Sequence, residues 1–307
     1  MDDDTPPNGR LFTDAELADL ARSPRDVIAL RLAAGEPAAA EATVVSTERS
    51  FRDQLGGQHA WLAHALDFVA LRHHAHGLAL LAPVTRRFFA VHPDARAVVE
   101  EPPPSVASEV RARAAAGDDE GALAAYDGAT DAWRRLQDVY RDWISLVLSH
   151  VYRTYGVDEL EAVHRHAAER TLLPWMSNDI ARPPQKRLPR WVLMLQGHFS
   201  GIRIEEDDEK FTIVQDPCGT CARQILDGRY EPPLSLAVVE ERHACTWGRG
   251  NTPIYRTHVP VWHVAMAREQ LGVPWPVNRC PAGLGAGPCP TLLYKDPRNP
   301  AADAQVP

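Results

Sequence analysis

Two cysteines near the start of the C-terminal third, Cys218 and Cys221, are separated by two residues in the stretch DPCGTCARQ. Two thiolates at this spacing can bind one metal ion from a tight turn, and Gly219 permits the backbone conformation that such a turn needs. The pair supplies only half of a tetrahedral site. Further candidate ligands follow along the chain: His243, Cys245 and His258. Cysteine and histidine are the usual ligands of zinc, so the sequence predicts a metal site with zinc as cofactor.

The distribution of the cysteines also indicates chemistry. The first 217 residues contain none, and the last 90 contain all five: Cys218, Cys221, Cys245, Cys280 and Cys289. An odd number of cysteines in a large chain without secretory features argues against a disulfide framework, and favours metal binding or thiol chemistry. Cys280 and Cys289 flank the loop PAGLGAGP, and the sequence leaves open whether either joins the site.

A second hypothesis for the same stretch is a cysteine nucleophile. Cys218 follows a predicted strand and begins a glycine-containing turn, a position that exposes a side chain at the edge of a pocket. Backbone N–H groups of residues 219–221 would lower its pKa if they converge on the sulfur. His243 or His258 would then act as the base, so the predicted catalytic residues are Cys218, His243 and His258.

The stretch TWGRGNTPIY, residues 246–255, is the candidate substrate-binding segment. Arg249 lies between two glycines and can bind a carboxylate in a bidentate manner. Trp247 and Tyr255 can hold the apolar body of a ligand on either side of it. The sequence therefore predicts that these three residues bind a small organic acid or a ring-containing metabolite.

Two alternatives remain open for the cysteines. A closed zinc site with four protein ligands would only stabilise a binding or interaction protein, whereas a catalytic zinc site keeps one position for water or substrate. A CxxC redox pair is the third possibility. It is disfavoured because only a short stretch follows Cys221 before Gly228 and the two prolines at 232–233, too little for the crossover helix of a thioredoxin-like unit.

Composition excludes several classes of partner. The chain has 307 residues, a formal net charge of −8 and 45% hydrophobic residues, as in a soluble globular protein. An acidic chain is poorly suited to nucleic acid or anionic membranes. No apolar run is long enough to span a membrane, and the acidic, Pro-rich start MDDDTPPNGR lacks a secretory signal. We expect a cytoplasmic protein with a small-molecule substrate. The sequence does not indicate its oligomeric state.

The first half is predicted to be helical. Thr13 and Glu16 form a capping-box pattern, which marks the start of a helix. Apolar residues recur at helical spacing in 46–92, with interruptions expected near the two glycines of 56–57 and near Gly77, and again in 119–155. The stretch 92–105 contains four prolines and is predicted to be a loop.

The pattern changes after the Pro-rich, basic stretch 181–190, which predicts two domains, a helical domain at 1–185 and an α+β domain at 186–307 that carries the Cys/His residues. Predicted strands lie near 201–206 and 210–215, as a hairpin, and at 232–241 and 290–296; a helix is predicted from Pro260 to Gly272. The fold class is α+β with a short antiparallel sheet. Together these features predict an enzyme, a metal- or cysteine-dependent hydrolase or lyase, with its pocket between the two domains.

Overall fold

The computed structural model describes residues 9–298, and the acidic, Pro-rich start of the chain lies largely outside this range. The predicted fold class is confirmed: a helical region precedes a smaller region with an antiparallel sheet. The helices of the first region are α1 (Asp14–Ala21), α2 (Pro24–Ala33), α3 (Pro37–Ala79), α4 (Ala82–Val91), α5 (Ala95–Glu100), α6 (Ala107–Ala115), α7 (Asp119–Tyr155), α8 (Val157–Thr171), α9 (Leu173–Ile180) and α10 (Pro184–Gly197).

Helix boundaries follow the local sequence in most places. The capping box is present at α1, where the Thr13 hydroxyl accepts from the Glu16 N–H and the Glu16 carboxylate accepts from the Thr13 N–H. Helix α7 ends at Gly156, whose φ of 93° is a conformation that favours glycine. The expected interruption at 56–57 was wrong, because α3 continues through both glycines. Near Gly77 the helix is interrupted, since His74 has a non-helical φ of 56° and α3 ends at Ala79. Helix α5 also forms inside the predicted loop 92–105.

The second region contains β1 (Ile202–Glu206), β2 (Lys210–Gln215), α11 (Cys221–Leu226), β3 (Val238–Val239), β4 (Thr252–Pro253), a π-helical segment (Pro260–Met266), α12 (Ala267–Leu271), β5 (Val277–Asn278) and β6 (Cys289–Tyr294). The predicted hairpin is β1 and β2, and the predicted last strand is β6. The helix predicted from Pro260 forms as the π-helical segment followed by α12, which ends at Gly272. The strand predicted at 232–241 was wrong in extent: only Val238 and Val239 pair, with β4.

The sheet order β1-β2-β6-β5, all antiparallel, determines where the cysteines meet. Gln215 at the end of β2 is the partner of Cys289 at the start of β6, so the CxxC that follows β2 lies beside Cys289. Asn278 of β5 is the partner of Thr291 in β6, and this register brings Cys280 back towards Cys289. Residues more than 60 positions apart in the chain are thereby brought to one edge of the sheet.

The main hydrophobic core runs through both parts of the chain. It includes Trp133 and Leu148 of α7 together with Phe211 of β2 and Leu293 of β6. The helical region extends through α10 to Gly197, past the predicted boundary at 185, and the division into two domains stays a prediction. None of the helices within residues 9–298 combines the length and the apolar character that crossing a membrane requires.

Candidate active site

Four cysteine sulfurs converge at this edge of the sheet. The Sγ atoms of Cys218 and Cys221 are 3.9 Å apart, and those of Cys280 and Cys289 are 3.5 Å apart. A contact between the thiols of Cys218 and Cys289 joins the two pairs. All four side chains are buried. The question that the sequence left open about Cys280 and Cys289 is therefore answered in the structure, because both lie with the CxxC.

The turn that carries Cys218 is held tightly against the end of α10. A Cβ placed on Gly219 would lie 1.7 Å from the carbonyl oxygen of His198, so no other residue fits at this position. The Gly219 N–H donates to the Ser200 hydroxyl at 2.9 Å, and the Gly219 carbonyl accepts from the buried Arg141 guanidinium at 3.0 Å. These contacts fix the direction of the Cys218 side chain.

The loop between the other two cysteines is held by a second buried arginine. The Arg256 guanidinium donates to the carbonyls of Pro281 (2.8 Å), Gly283 (2.7 Å) and Gly285 (2.5 Å). Its Nε donates to the Cys221 sulfur at 3.4 Å. One planar cation thus links the CxxC to the loop that contains Cys280 and Cys289, and it supplies positive charge where thiolates form.

The thiols of the cluster differ strongly in acidity. Hydrogen bonds from Cys221 and then from Cys289 hold the pKa of Cys218 well below its ordinary value, with the Thr220 hydroxyl (3.2 Å) and the Thr220 N–H adding to the effect. The thiols of Cys221 and Cys289 stay protonated in order to donate, and their pKa values are raised well above the ordinary value by their bonds to Cys218 and by burial. Of these three thiols, Cys218 is therefore the one that ionises most readily.

Cys218 lines a cavity of about 760 Å³. Walls come from both regions of the chain, with the other three cysteines beside Cys218 and aromatic side chains around the rest. The lining aromatic residues are Trp61, Trp175, Trp191, Tyr255, Trp262 and Trp275. The size is that of a small-molecule site, and flat apolar walls with a few polar groups are typical of such sites.

Three histidines line the same cavity and are neutral at physiological pH. Burial lowers the pKa of His258 to about 3 and the pKa values of His198 and His263 to about 4. The negative charge of Cys218 partly offsets this effect by raising the pKa of His258 and His198. His258 Nδ1 donates to the carbonyl of Tyr255 at 2.5 Å, which leaves the Nε2 lone pair of that ring as a base.

A buried carboxylate positions two of the tryptophans. Asp179 Oδ2 accepts from the indole Nε1 of Trp275 at 2.7 Å and of Trp191 at 3.0 Å, and Arg187 lies beside it at 3.4 Å. The Asp179 side chain is fully buried. Because both indole donors are engaged by this carboxylate, the two rings offer the cavity their apolar faces rather than their N–H groups.

Two of the predicted ligands lie elsewhere. His243 and Cys245 are not among the residues that line the cavity. His243 Nδ1 accepts from the Cys245 N–H at 3.3 Å, and its Nε2 donates to Asp158 at 3.1 Å. Burial, followed by the charge of Glu161, raises the pKa of Cys245 to about 12. Five residues were predicted to bind metal. Cys218, Cys221 and His258 line the cavity, whereas His243 and Cys245 do not.

The predicted substrate-binding residues are also divided. Tyr255 lines the cavity, but Arg249 and Trp247 are not in its lining. The Arg249 guanidinium stacks over the Trp247 ring at 5.6 Å and donates to the Cys280 carbonyl at 3.4 Å. The cationic side chains that line the cavity, besides Arg256, are Arg49 and Arg190. The assignment of Arg249 and Trp247 to substrate binding stays a prediction, and neither residue lines this cavity.

A zinc cofactor stays a prediction with a different set of ligands. Within residues 9–298, no group of three or more His, Cys, Asp or Glu side chains is arranged to hold a metal ion in this conformation. The two sulfur pairs, at 3.9 and 3.5 Å, are nevertheless close to the separation of about 3.8 Å that a tetrahedral zinc with Zn–S bonds of about 2.3 Å imposes. A zinc ion would bind at Cys218, Cys221, Cys280 and Cys289.

Several residues of the site carry no signal in the sequence. Arg256 and His198 lie in stretches that match no binding or catalytic motif, IYRTH and QGHFS, and only the fold shows that they lie beside the cysteines. Cys280 and Cys289 had a usable signal, since they lie within the cysteine-rich part of the chain, but an eight-residue gap matches no common metal-binding spacing. No protein-family model, curated protein or solved structure matches this chain.

Proposed function

We propose that this protein is a cysteine-dependent hydrolase that acts on a ring-containing small molecule in the aromatic cavity. The observation that carries the proposal is the position of Cys218. It is the thiol whose pKa is lowered by its neighbours, and it lies in the wall of a 760 Å³ cavity. A thiolate beside an apolar, partly closed cavity is an activated nucleophile.

The chemistry follows from the neighbouring groups. The Cys218 thiolate attacks a carbonyl carbon of the substrate, the S–C bond forms, and the bond to the leaving group breaks. Water then attacks the thioester. The first leaving group departs as an anion during acylation. In the second step the Nε2 lone pair of His258 accepts one proton of the water as the new C–O bond forms, and the S–C bond breaks, which releases the carboxylic acid and restores the Cys218 thiolate; the proton then passes from His258 to solvent, where it balances the released anion. The predicted role of His243 as base passes to His258, because His243 is not in the cavity lining.

An activated aromatic ester, 4-nitrophenyl benzoate, is a suitable probe. We expect a burst of nitrophenol with acylation of Cys218, detectable by peptide mass spectrometry, and a loss of at least about 100-fold in rate for Cys218→Ser. Cys245→Ser is the matched control, since that thiol is equally buried but lies outside the cavity lining. Equal rates in the two variants would sink the proposal.

The second candidate is a zinc-stabilised binding protein, favoured by the convergence of four sulfurs. Four thiolates on zinc leave no open position, and the Arg256 guanidinium beside them offsets part of the negative charge. Cobalt titration tests this candidate, because four thiolates give intense charge-transfer absorption. One cobalt per chain, lost in Cys280→Ser and kept in Cys245→Ser, would favour it; no cobalt binding, or binding without a need for Cys280, would reject it.

A further inference from the structure

The side-chain amide of Gln58 is buried in the cavity wall without a partner. Gln58 lies in α3, its residue is 4% exposed, and neither Oε1 nor Nε2 has a hydrogen-bond partner within residues 9–298. Buried polar groups in folded proteins are almost always paired. An amide presents a carbonyl acceptor and two N–H donors side by side. In Gln58 both the acceptor and the donors are available to a ligand in the cavity.

One turn later in the same helix, Trp61 adds a further donor. It is also 4% exposed, and its indole Nε1 lacks a partner in the described part of the chain. Its ring packs against Trp262, with centroids 4.4 Å apart, and against His258 at 4.9 Å. Residues three apart lie on one face of a helix, so Gln58 and Trp61 present their polar atoms to the cavity together.

Three other tryptophans of the cavity wall have no indole donor left for a ligand. The indole donors of Trp191 and Trp275 are engaged by Asp179, and that of Trp262 donates to the His164 carbonyl at 2.8 Å. These three rings therefore present only their apolar faces to a ligand. A neighbouring amide, Gln54, already donates to the Met194 carbonyl at 3.4 Å. Polar recognition beside Trp61 is left to Gln58, to the Trp61 donor and to the His258 Nε2 acceptor, and of these three only the Gln58 amide combines a donor with an acceptor.

We propose that the cavity binds a planar ring compound with an N–H group next to a carbonyl, the edge of a cyclic amide or imide. Gln58 Oε1 accepts from the ring N–H, Gln58 Nε2 donates to the ring carbonyl, and the tryptophan faces cover the ring. Trp61 Nε1 donates to a second acceptor of the ligand. This inference rests on the proposed function, since it names the substrate class of the same cavity, but it concerns binding alone.

The test compares two flat probes that differ in this edge: 2-quinolone has the N–H and the carbonyl, and quinoline has neither. Binding is measured by calorimetry and by quenching of tryptophan fluorescence. We expect 2-quinolone to bind at least tenfold more tightly to the unaltered protein. Because this comparison needs no variant, it does not depend on whether any variant folds. Failure of 2-quinolone to bind, or equal affinity of the two probes, overturns the proposal.

Matched variants assign the preference to its residue. Gln58→Leu keeps the size of the side chain and is expected to reduce the ratio of affinities to about one, whereas Gln54→Leu is expected to keep it. A ratio that survives in Gln58→Leu overturns the assignment to Gln58. Cys218→Ser separates this proposal from the proposed function, because it is expected to lose hydrolysis and keep the tenfold preference. Hydrolysis that persists in this variant contradicts the proposed function alone, and equal binding of the two probes to the unaltered protein contradicts the present proposal alone.

Discussion

Cys218 and Cys245 are two buried cysteines of the same region whose surroundings have opposite effects on them. Cys218 is 5% exposed and accepts hydrogen bonds from two thiols, a hydroxyl and a backbone N–H, which lower its pKa. Cys245 is fully buried beside the carboxylate of Glu161, and its pKa is raised to about 12. Burial by itself therefore does not decide reactivity; the donors and charges within reach of the sulfur do.

The histidines show the same contrast. Both side chains are half-buried, but His258 lines the cavity and only its Nδ1 has a hydrogen-bond partner among residues 9–298, whereas His243 is bonded at both ring nitrogens, to Cys245 and Asp158. A histidine whose nitrogens are both engaged orients a loop, and one with a free nitrogen can move a proton. Cys218 with His258, and Cys245 with His243, are the same two residue types. Their different hydrogen-bond partners make the first pair suitable for catalysis and the second pair suitable for holding the loop in place.

The largest effect is expected from Gly219→Ala. The added Cβ would meet the His198 backbone at 1.7 Å, which neither side can accommodate by a rotamer change. We expect a loss of at least about 3 kcal/mol in the free energy of unfolding, measured by chemical denaturation. Gly287→Ala, where nothing lies within 4 Å of the new Cβ, is the control. Near-native stability of the Gly219 variant would show that the Cys218 turn is not held as described.

Alkylation by iodoacetamide at pH 7 measures the contrast between the two thiols directly. With a pKa of about 12, Cys245 is ionised in about one molecule in 10⁵ at this pH, whereas the pKa of Cys218 is lowered by the hydrogen bonds that its sulfur accepts, so a larger fraction of it is ionised. We expect Cys218 to react at least about 100-fold faster than Cys245, with the alkylation of each cysteine measured by peptide mass spectrometry. Similar rates at the two positions would contradict the assignment of the thiolate to Cys218.

Acid should destabilise the protein through the cavity histidines. Their pKa values, about 3 for His258 and about 4 for His198 and His263, lie below the ordinary 6.5, so the unfolded chain binds protons that the folded chain does not. The stability they contribute is present above pH 6.5 and falls as the pH falls, by about 1.5 kcal/mol for each histidine between pH 6.5 and 5.

This pH dependence is measured by denaturant titration at several pH values. In His258→Gln, the loss of unfolding free energy between pH 6.5 and 5 should be smaller by the contribution of one histidine, about 1.5 kcal/mol. His243→Gln keeps all three cavity histidines and should retain the full slope. A slope that is the same in both variants would mean that His258 is not buried in its neutral form.

The smallest effect is expected from Thr220→Val, which removes the hydroxyl that lies 3.2 Å from the Cys218 sulfur. A hydrogen bond of this kind contributes about 1 kcal/mol. The midpoint of the pH profile for alkylation of Cys218 should move to higher pH, and Thr220→Ser should restore it. A profile that does not move would indicate that the two thiol donors alone hold the thiolate.

The helical region and the hairpin were predictable from the sequence because their signals are local. A capping box, helical periodicity and an acidic turn between two alternating segments each act over a few residues. The extent of β3 and the strands β4 and β5 were not predictable, because two-residue pairings depend on long-range partners rather than on their own sequence.

The candidate site was predicted in part. The CxxC, His258 and Tyr255 were identified from residue type and spacing, and all line the cavity. His243, Cys245, Arg249 and Trp247 were grouped with them only because they are near in sequence. Nearness along a chain does not fix direction in an irregular region, where each turn can send neighbouring side chains to different sides.

The sequence by itself determined the α+β class, the tight turn at Gly219 and the concentration of thiols in one region. Only the tertiary structure decided which thiols meet. The register of β2, β5 and β6 brings Cys280 and Cys289 to Cys218, and Arg256 fixes their loop. It also decided which cysteine carries the charge, since the pKa of a buried thiol is set by donors and charges that come from distant parts of the chain.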